Sequence, residues 1–504
     1  MSDTDLIKNM QERHKNLFLS PTKDQKAINQ FEKDLTALLD ENPDHPVFLF
    51  QLGTFYMQMD RCALAAALLR RGMETGCHGA APWLNLAGAY KVNHHDDMVL
   101  ECYKKALVEA EKEGDPEIIS HALHGIGSIY INKGEPDTCL YWSNKALEKT
   151  PNDRFAQWNK GIAHLERGDW AEGFDLYHQA GFATGSVKAP ERKIKTYGGL
   201  PQWDGKPLPD GSKPLVICYG EQGVGDEVMF ASMIPDLMKD CRVVFDIDNR
   251  LMGLFKRSFP EAEGIYNTSG IDDPFPWMVD HPDAVATVPM GSLGHFYRRK
   301  AADFPKVPYL TADPDLRAKW REILKPYHGL KIGISYAGGL KKTRADQRTI
   351  LFERFSDILE LEDTNFFSLQ YHPWAADEAS KIGGQIGRPI HHWGDVVAQQ
   401  GDMETDWDNH AAFISELDLI ITTNTSLHHL AGALGVPQWC LTPKFVAWRY
   451  GISGDSPWYS ACKMIRQKKA DEWGPVLKKV ERDLYKMVED TMNAENPADW
   501  IATA

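Results

Sequence analysis

The spacing of small, aromatic and apolar residues predicts a run of paired helices between residues 46 and 182. A small residue followed three positions later by an aromatic residue or a histidine recurs at four regularly spaced places, as Gly53 and Tyr56, Ala87 and Tyr90, Gly127 and Tyr130, and Gly161 and His164. The steps from 53 to 87 and from 127 to 161 are 34 residues each, and the middle step of 40 leaves room for six extra residues at Glu109–Gly114. Small residues at this spacing let two antiparallel helices approach closely, while the aromatic residues fill the space to the next pair.

This pattern resembles the tetratricopeptide repeat over about 135 residues. We expect N-terminal capping helices in residues 1–45 and the repeats themselves in residues 46–185. Stacked helix pairs leave a concave groove that commonly holds an extended peptide. A rigid spacer or a dimer surface is the alternative use of such an array.

The pattern changes after the repeats. Residues 186–213 are rich in proline and glycine, which predicts a linker or an irregular entry segment. Apolar runs then alternate with helical stretches, which predicts parallel sheets with crossover helices. The predicted strands are Leu215–Tyr219, Arg242–Ile247, Ala284–Val288, Lys331–Tyr336, Asn365–Leu369, Leu417–Ile421 and Pro437–Leu441. About 290 residues are too many for one such sheet, so we expect two Rossmann-like domains, 214–314 and 315–504. The predicted fold class is an α-solenoid followed by two α/β domains.

Composition and charge narrow the class of protein. The 504 residues, 43% hydrophobic and 25% charged, are typical of a soluble globular protein of several domains. A formal net charge of −15 argues against nucleic-acid binding. No apolar run reaches the roughly 18 residues of a transmembrane segment, and the N-terminus has no secretory-signal pattern. Eight scattered cysteines suit reduced core thiols, so we expect a cytoplasmic protein. The histidines form no compact ligand set, so we expect no metal cofactor.

The loop Gly220–Glu227 directly follows a predicted strand and begins a helix. Gly223 and Gly225 allow a tight turn and the close approach of a ligand to the backbone. The carboxylate of Asp226, at the start of the helix, suits the deprotonation of an incoming hydroxyl. Capping of the helix is an alternative role for the same carboxylate.

Two further loops follow predicted strands. Ser335–Ile350 combines glycines with four cations, which suits neutralisation of a diphosphate, although a solvated basic loop has the same pattern. Thr422–Pro437 leads from a strand into a helix, whose N-terminal N–H groups and dipole favour phosphate. Thr425 and Ser426 are N-cap residues there, and an ordinary capped helix is the alternative. Because ligands bind at the carboxyl ends of parallel strands, we expect all three loops in one cleft.

Several motifs in the second part of the chain occur in the order of a known family. They are Gly220–Glu227, Ile332–Gly339, Phe366–Gln370, Asn424–Pro437 and, further on, the run from Trp448 to Gln467. Together they resemble the heptosyltransferase family of glycosyltransferases, in particular its members with N-terminal tetratricopeptide repeats. The resemblance covers about residues 46–182 and 200–480.

The resemblance implies a GT-B fold, in which two Rossmann-like domains hold a nucleotide-sugar mainly through the C-terminal one. It also implies inverting, metal-independent transfer, with Asp226 as the base in the acceptor-side loop that contains Glu221, Gly223 and Gly225. The donor-binding residues that it implies are Ser335, Gly338, Lys342, Arg348, Asn424, Thr425, Ser426 and His429.

One residue departs from the family pattern. Asn424 stands where the family usually has Asp, and an amide carries no charge, so the donor sugar (hexosyl, heptosyl or N-acetylglucosaminyl) stays open. Tyr336 replaces the usual Trp. The leading expectation is a transferase for a protein or glycan acceptor held partly by the repeats. A repeat scaffold with a weakened transferase domain is one alternative. A nicotinamide-dependent oxidoreductase is another, with Asp246 in the ribose position, but Val228 occupies the third glycine position of its fingerprint.

Overall fold

A computed structural model describes most of the chain. The described residues are 3–19, 24–92, 94–181, 192, 194–271, 273, 275–339, 343–372, 374–396 and 406–493. Their contacts divide the chain into two compact units, Met1–Lys160 and Gly161–Ala504.

The N-terminal part of the described chain is helical throughout. Its helices are α1 (Asp3–Leu19), α2 (Gln25–Glu41), α3 (Pro46–Gln58), α4 (Cys62–Glu74), α5 (Ala80–Lys91), α6 (Asp96–Glu113), α7 (Pro116–Asn132), α8 (Pro136–Lys149), α9 (Arg154–Arg167) and α10 (Trp170–Ala180). Consecutive helices from α3 onward form the predicted pairs, which confirms the helical-repeat fold. The border between the two units falls inside α9, so α10 belongs to the second unit.

Glycines set the distance between the helices of a pair. A Cβ atom at Gly53 in α3 would lie 2.8 Å from Leu69 Cγ in α4, and one at Gly161 in α9 would lie 2.9 Å from Leu176 Cβ in α10. The predicted insertion extends α6, which ends at Gly114 in the left-handed conformation (φ 74°). Gly114 therefore ends this longer helix in a conformation that other residues adopt reluctantly.

The second unit contains two sheets. Their strands are β1 (Leu215–Tyr219), β2 (Arg242–Asp246), β3 (Gly264–Tyr266), β4 (Ala284–Pro289), β5 (Leu330–Ser335), β6 (Thr364–Ser368), β7 (His391–His392), β8 (Leu419–Thr423), β9 (Gln438–Thr442) and β10 (Cys462–Arg466). The first sheet has the order β3-β2-β1-β4 and the second β10-β9-β8-β5-β6-β7. Every pairing is parallel. The second order is that of a dinucleotide-binding sheet, and the first follows the same rule with four strands.

Helices connect these strands. They are α11 (Val224–Phe230), α12 (Ile234–Asp240), α13 (Met252–Ser258), α14 (Leu293–Tyr297), α15 (Pro314–Leu324), α16 (Ala345–Arg348), α17 (Ser356–Leu359), α18 (Ala375–Ile386), α19 (Trp393–Val396), α20 (Trp407–Ile414), α21 (Ser426–Leu434) and α22 (Gly474–Asn493). The central strands β1, β8 and β9 are buried at every position, as expected for strands covered on both faces. The expected pair of Rossmann-like domains is therefore confirmed.

Two further expectations concern membrane-spanning helices and the cysteines. None of the helices that the structure describes is both long and apolar enough to cross a membrane. The eight cysteines, all within the described residues, form no disulfide bonds, and all except Cys77 are buried. Burial raises the pKa of several of these thiols, that of Cys102 to about 11, which keeps them protonated.

Candidate functional site

Each sheet has one point at which the strand order reverses. In the second sheet it lies between β5 and β8, which are neighbours through pairs such as Ser335 and Thr422. In the first sheet it lies between β1 and β4. Ligands of α/β sheets bind in the crevice outside the carboxyl ends of the strands at such a point. The three loops singled out in the sequence begin where β1, β5 and β8 end.

Helix α21 begins directly at this reversal point. Thr425 is its N-cap, with extended backbone (φ −128°), and Ser426 is its first helical residue. Within the described residues, the Thr425 side chain does not accept hydrogen bonds from the first N–H groups of the helix. The helix thus lacks the side-chain cap that the sequence predicted, and its first N–H groups and positive dipole end are suited to an anion.

Asn424 is the most unusual residue of the site. It is only 4% exposed, yet neither Oδ1 nor Nδ2 has a hydrogen-bond partner among the described residues. The same is true of Thr423 Oγ1, at the end of β8, and of Gln370 Nε2, beyond the end of β6. A buried polar group without a partner costs about 1–3 kcal/mol, so a group of them at one edge of a sheet indicates a polar ligand.

The second loop is organised by Gln370. Its Oε1 accepts hydrogen bonds from Ser335 Oγ (2.7 Å), from Tyr336 N (3.0 Å) and from Ala337 N (3.2 Å). Ser335, a predicted donor-binding residue, therefore already donates to Gln370. Gly338 leaves no room for a side chain, because a Cβ atom there would collide with Arg348.

Arg348 lies in the same loop, at the end of α16. Its Nη1 and Nη2 donate to the carbonyl and hydroxyl oxygens of Thr343 at 2.9 and 2.7 Å. Burial lowers the pKa of the Arg348 guanidinium, and the nearby positive charge of Arg449 lowers it further. Two cations that affect each other in this way favour the binding of an anion close to them. Lys342, the other predicted cation, lies outside the described residues.

The first loop meets the third across the two sheets. A Cβ atom at Gly225 would lie 3.2 Å from both Cα and Cβ of Ser426, so α11 and α21 touch through this glycine. Gly223 has an ordinary φ of −82° and space for a Cβ atom. Gly225 therefore serves close helix contact, and Gly223 does not form the tight turn that the sequence suggested.

Asp226 faces Arg449. Arg449 Nη2 lies 2.5 Å from Asp226 Oδ1, and the two side chains are 20% and 19% exposed. Arg449 belongs to a segment of the second domain that follows β9, so the ion pair joins the two α/β domains. This residue was part of the motif that carried the family resemblance but was not predicted as a site residue.

Glu221 has a structural environment. Its carboxylate is buried and accepts from Arg192 Nε (3.0 Å) and Nη2 (2.7 Å). Burial raises the pKa of this carboxyl, while Arg192 opposes the rise. Contact with an acceptor would require breaking a buried ion pair, so the structure favours a structural role for Glu221.

His429 is buried between two tyrosines. Its Nδ1 lies 3.0 Å from Tyr459 Oη and its Nε2 3.3 Å from Tyr450 Oη. Burial holds the pKa of His429 well below its usual value, so the imidazole is neutral. His429 therefore positions the start of α21 through neutral hydrogen bonds, rather than offering a positive charge to a diphosphate.

The last repeat helix completes the surroundings of Asp226 and Arg449. Tyr177 of α10 accepts a hydrogen bond from Gln222 in the first loop, and its ring lies 5.6 Å from that of Trp448. Phe174 packs against Trp448 at 5.8 Å and against Gly294, where no Cβ atom would fit. Helix α10 is thus joined to the α/β domains within the second unit.

Asp246 shows where the dinucleotide alternative fails. Its buried carboxylate accepts from Tyr197 Oη (2.5 Å), Thr268 N (3.0 Å) and Lys195 Nζ (2.9 Å). A ribose-binding carboxylate at the end of a second strand would have to face the ligand instead. The residue is part of the core of the first sheet.

The fold is a helical-repeat array followed by two Rossmann-like domains, the GT-B arrangement. No protein-family model matches the chain. A curated relative, Protein FlbA of Caulobacter vibrioides, is 25% identical over 510 residues, which cover 90% of this chain and 80% of the relative.

The solved structures that are similar to the chain include a heptosyltransferase and a tetratricopeptide repeat protein. The E. coli ADP-heptose lps heptosyltransferase II is 14% identical, with 55% of this chain and 99% of that one covered and a TM-score of 0.39. A tetratricopeptide repeat protein from Parabacteroides merdae is 18% identical, with 35% and 66% covered and a TM-score of 0.29.

Proposed function

We propose that this chain is an inverting, metal-independent glycosyltransferase. It moves a sugar from a nucleoside-diphosphate donor to a protein or glycan acceptor, which the repeats hold in part. The observation that supports this most directly is the buried Asn424 amide without a partner, immediately before the uncapped helix α21 and at the reversal point of the second sheet. A polar, anionic ligand there satisfies the amide and the first N–H groups of the helix together.

The chemistry follows from where the charges lie. A hydroxyl oxygen of the acceptor attacks the anomeric carbon from the face opposite the diphosphate, and the bond between that carbon and the diphosphate oxygen breaks. The hydroxyl proton passes to the Asp226 carboxylate, a step that contributes roughly 10²–10⁴-fold. Negative charge that develops on the leaving diphosphate meets the N-terminus of α21 and the Arg348 guanidinium, with Lys342 as a further predicted cation.

Metal independence is supported by the same groups. Guanidinium groups and a helix N-terminus can neutralise a leaving diphosphate in place of a divalent ion. We therefore expect transfer to persist in excess EDTA. Loss of activity in EDTA that Mg²⁺ or Mn²⁺ restores would contradict this part of the proposal.

Ligand binding by the whole chain tests the proposal. UDP-, GDP-, ADP- and dTDP-sugars are compared by thermal shift, with NAD as the control nucleotide. A donor present at about 100 times its Kd should stabilise the protein by about 2.7 kcal/mol. A response to no nucleotide-sugar would favour the alternative, a repeat scaffold with a weakened transferase domain. A response to NAD alone would overturn the assignment.

Asn424→Ala links the binding to the site. The variant should lose about ten-fold or more in affinity for the donor, because two hydrogen-bonding atoms are removed. It should keep its stability within about 1 kcal/mol, because the lost atoms have no partner in the described structure. Asn409→Ala is the matched control: Asn409 is equally buried, but its Oδ1 accepts from Trp320 Nε1 at 2.6 Å. It should lose stability by about 1–3 kcal/mol and leave the affinity unchanged.

A further inference from the structure

The carboxylate that we assign as the base is already paired. Asp226 Oδ1 lies 2.5 Å from Arg449 Nη2, and about four-fifths of each side chain is buried. The Arg449 guanidinium lies 5.8 Å from the centre of the Trp448 ring, and the Arg449 carbonyl accepts from Trp458 Nε1 at 2.9 Å. The Arg449 end of the ion pair is therefore packed against two tryptophans of the second α/β domain, and Asp226 lies in α11 of the first.

Such a pair suppresses two functions at once. While Asp226 Oδ1 contacts the Arg449 guanidinium, that oxygen cannot at the same time contact the hydroxyl of an acceptor. A guanidinium that faces a carboxylate is in turn less available to an incoming phosphate. The two functions become available together only when another anion replaces Asp226 as the partner of Arg449.

The donor diphosphate is such an anion. Gly225, next to Asp226, contacts Ser426 at the start of α21, so the ion pair and the proposed phosphate site adjoin. Arg348 lies close enough to Arg449 for its pKa to be affected. Two neighbouring guanidinium groups and a helix N-terminus attract a group with two phosphates more strongly than they attract one carboxylate.

We propose that Arg449 is a positioning residue that exchanges Asp226 for the donor diphosphate. Binding of the donor thereby releases Asp226 to act as the base, so the acceptor hydroxyl is activated only when a donor is present. This inference rests on the proposed function. The exchange replaces one ion pair by another, and no covalent bond changes until the acceptor attacks.

Competition between Asp226 and the ligand gives an unusual prediction. Asp226→Asn, which removes the competing charge, should abolish transfer and yet bind nucleoside diphosphates at least about five-fold more tightly. Arg449→Ala should bind them at least about ten-fold more weakly. Affinities for UDP, GDP, ADP and dTDP are measured by calorimetry on the full chain, and the nucleotide that binds the unaltered protein best is used throughout.

A double variant, Asp226→Asn with Arg449→Ala, distinguishes an exchange of partners at Arg449 from a general change in the electric field at the site. If Arg449 carries the effect, Asp226→Asn should give no tightening in the Arg449→Ala background. Equal tightening in both backgrounds would overturn the proposal, since loss of any nearby negative charge would then explain it. Asp283→Asn is the control, because Asp283 pairs with Arg242 at the opposite edge of the first sheet, and it should leave the affinity unchanged.

The remaining outcomes are also decisive. If the unaltered chain binds nucleotides and Asp226→Asn binds no more tightly, the exchange is disproved while the proposed function stands. If the unaltered chain binds none of the four nucleotides, both fall. Arg449→Lys keeps the charge without the planar fork, so it should restore part of the affinity lost in Arg449→Ala. If Arg449→Lys binds nucleotide as weakly as Arg449→Ala and both variants keep normal thermal stability, the planar fork of the guanidinium itself contacts the diphosphate.

Discussion

Buried polar side chains in the second unit have contrasting surroundings. His428 and Gln438 exchange two hydrogen bonds. His428 Nδ1 donates to Gln438 Oε1 (2.9 Å), and Gln438 Nε2 donates to the His428 carbonyl oxygen (3.0 Å). Burial lowers the pKa of His428 to about 4, so this histidine is a neutral part of the core. Asn424, four residues earlier, has no such partner among the described residues. Satisfied groups stabilise the fold, and unsatisfied ones indicate where a ligand binds.

Glu166 near the end of α9 gives a prediction about pH. It is 3% exposed, and neither carboxylate oxygen has a hydrogen-bond partner in the described chain. Burial raises its pKa to about 8, from 4.5 in an unfolded chain. Between these values the folded state binds the proton and the unfolded state does not, so stability falls as the pH rises from about 5 to 8, by at most about 1.4 kcal/mol per pH unit.

Glu166→Gln should remove this part of the pH dependence. We expect melting temperatures of the variant and the unaltered chain to converge near pH 5, and the variant to melt at the higher temperature at pH 8. Glu322→Gln is the control, because Glu322 is exposed and pairs with Lys325 at the end of its own helix. If the melting temperatures of Glu166→Gln and of the unaltered chain differed by the same amount at every pH in this range, Glu166 would not be protonated in the folded state.

The pairing of charged residues was the least predictable feature at this scale. The sequence singled out Asp226 and Glu221 because they lie in a glycine-containing loop after a strand. Their partners, Arg449 and Arg192, are distant in sequence, and no local pattern connects them to these carboxylates. Local pattern therefore located the loop, but only tertiary packing shows which carboxylate can reach the crevice.

At the scale of elements, the length of an apolar run decided what the sequence could predict. Strands such as β1 and β8 were located to within about two residues, because they are continuous buried runs. Strands β3 and β7 have three and two residues, too few for any periodicity. Strand β10 lies at the edge of its sheet and contains both buried and partly exposed residues, so it lacks the uniform apolar run of a central strand.

The contact between α11 and α21 gives a prediction at this scale. Gly225→Ala places a methyl group 3.2 Å from the backbone of Ser426, so the start of α21 must shift by a few tenths of an ångström. We expect about a ten-fold loss of nucleotide affinity, with a loss of stability of only about 1–3 kcal/mol. Calorimetric titration and urea unfolding measure the two effects separately.

Gly223→Ala is the matched control for that variant. It lies two residues away with a φ of −82°, and its Cβ atom would be 3.5 Å from Asp226 Oδ2, an ordinary contact. Alanine in such a position stabilises by about 0.4–1 kcal/mol, chiefly through the unfolded chain. If both variants bound nucleotide equally well, the contact between the helices would have no part in binding.

At the scale of the whole molecule, the last repeat helix is an integral part of the second unit. Trp170 packs on Phe304 at 4.6 Å, and Asp175 Oδ2 accepts from Arg299 Nη2 at 2.9 Å. The sequence correctly predicted repeats and paired α/β domains, because each has its own periodicity. The predicted limits of the repeats, residues 46 and 185, stay predictions. The contacts of α10 place this helix in the same unit as the α/β domains.

This packing predicts which shortened chains fold. A chain of residues 154–504 keeps α9 and α10 and should unfold cooperatively, as judged by urea denaturation followed by tryptophan fluorescence. A chain of residues 214–504 also loses Arg192, which leaves the Glu221 carboxylate buried without its partner and costs about 3–5 kcal/mol. It should aggregate or unfold without a cooperative transition. Equal stability of the two chains would contradict a structural role for α10.

The position of α10 also constrains how such a chain can change over generations. Whole helix pairs inserted or deleted before Arg154 alter the length of the array but touch none of the contacts that Phe174 and Tyr177 make. Recombination at the apparent border near residue 185 would instead separate Tyr177 from Gln222 and disturb the proposed base. Lineages can therefore gain or lose repeats without altering the packing of the final repeat helix around the first loop and Trp448.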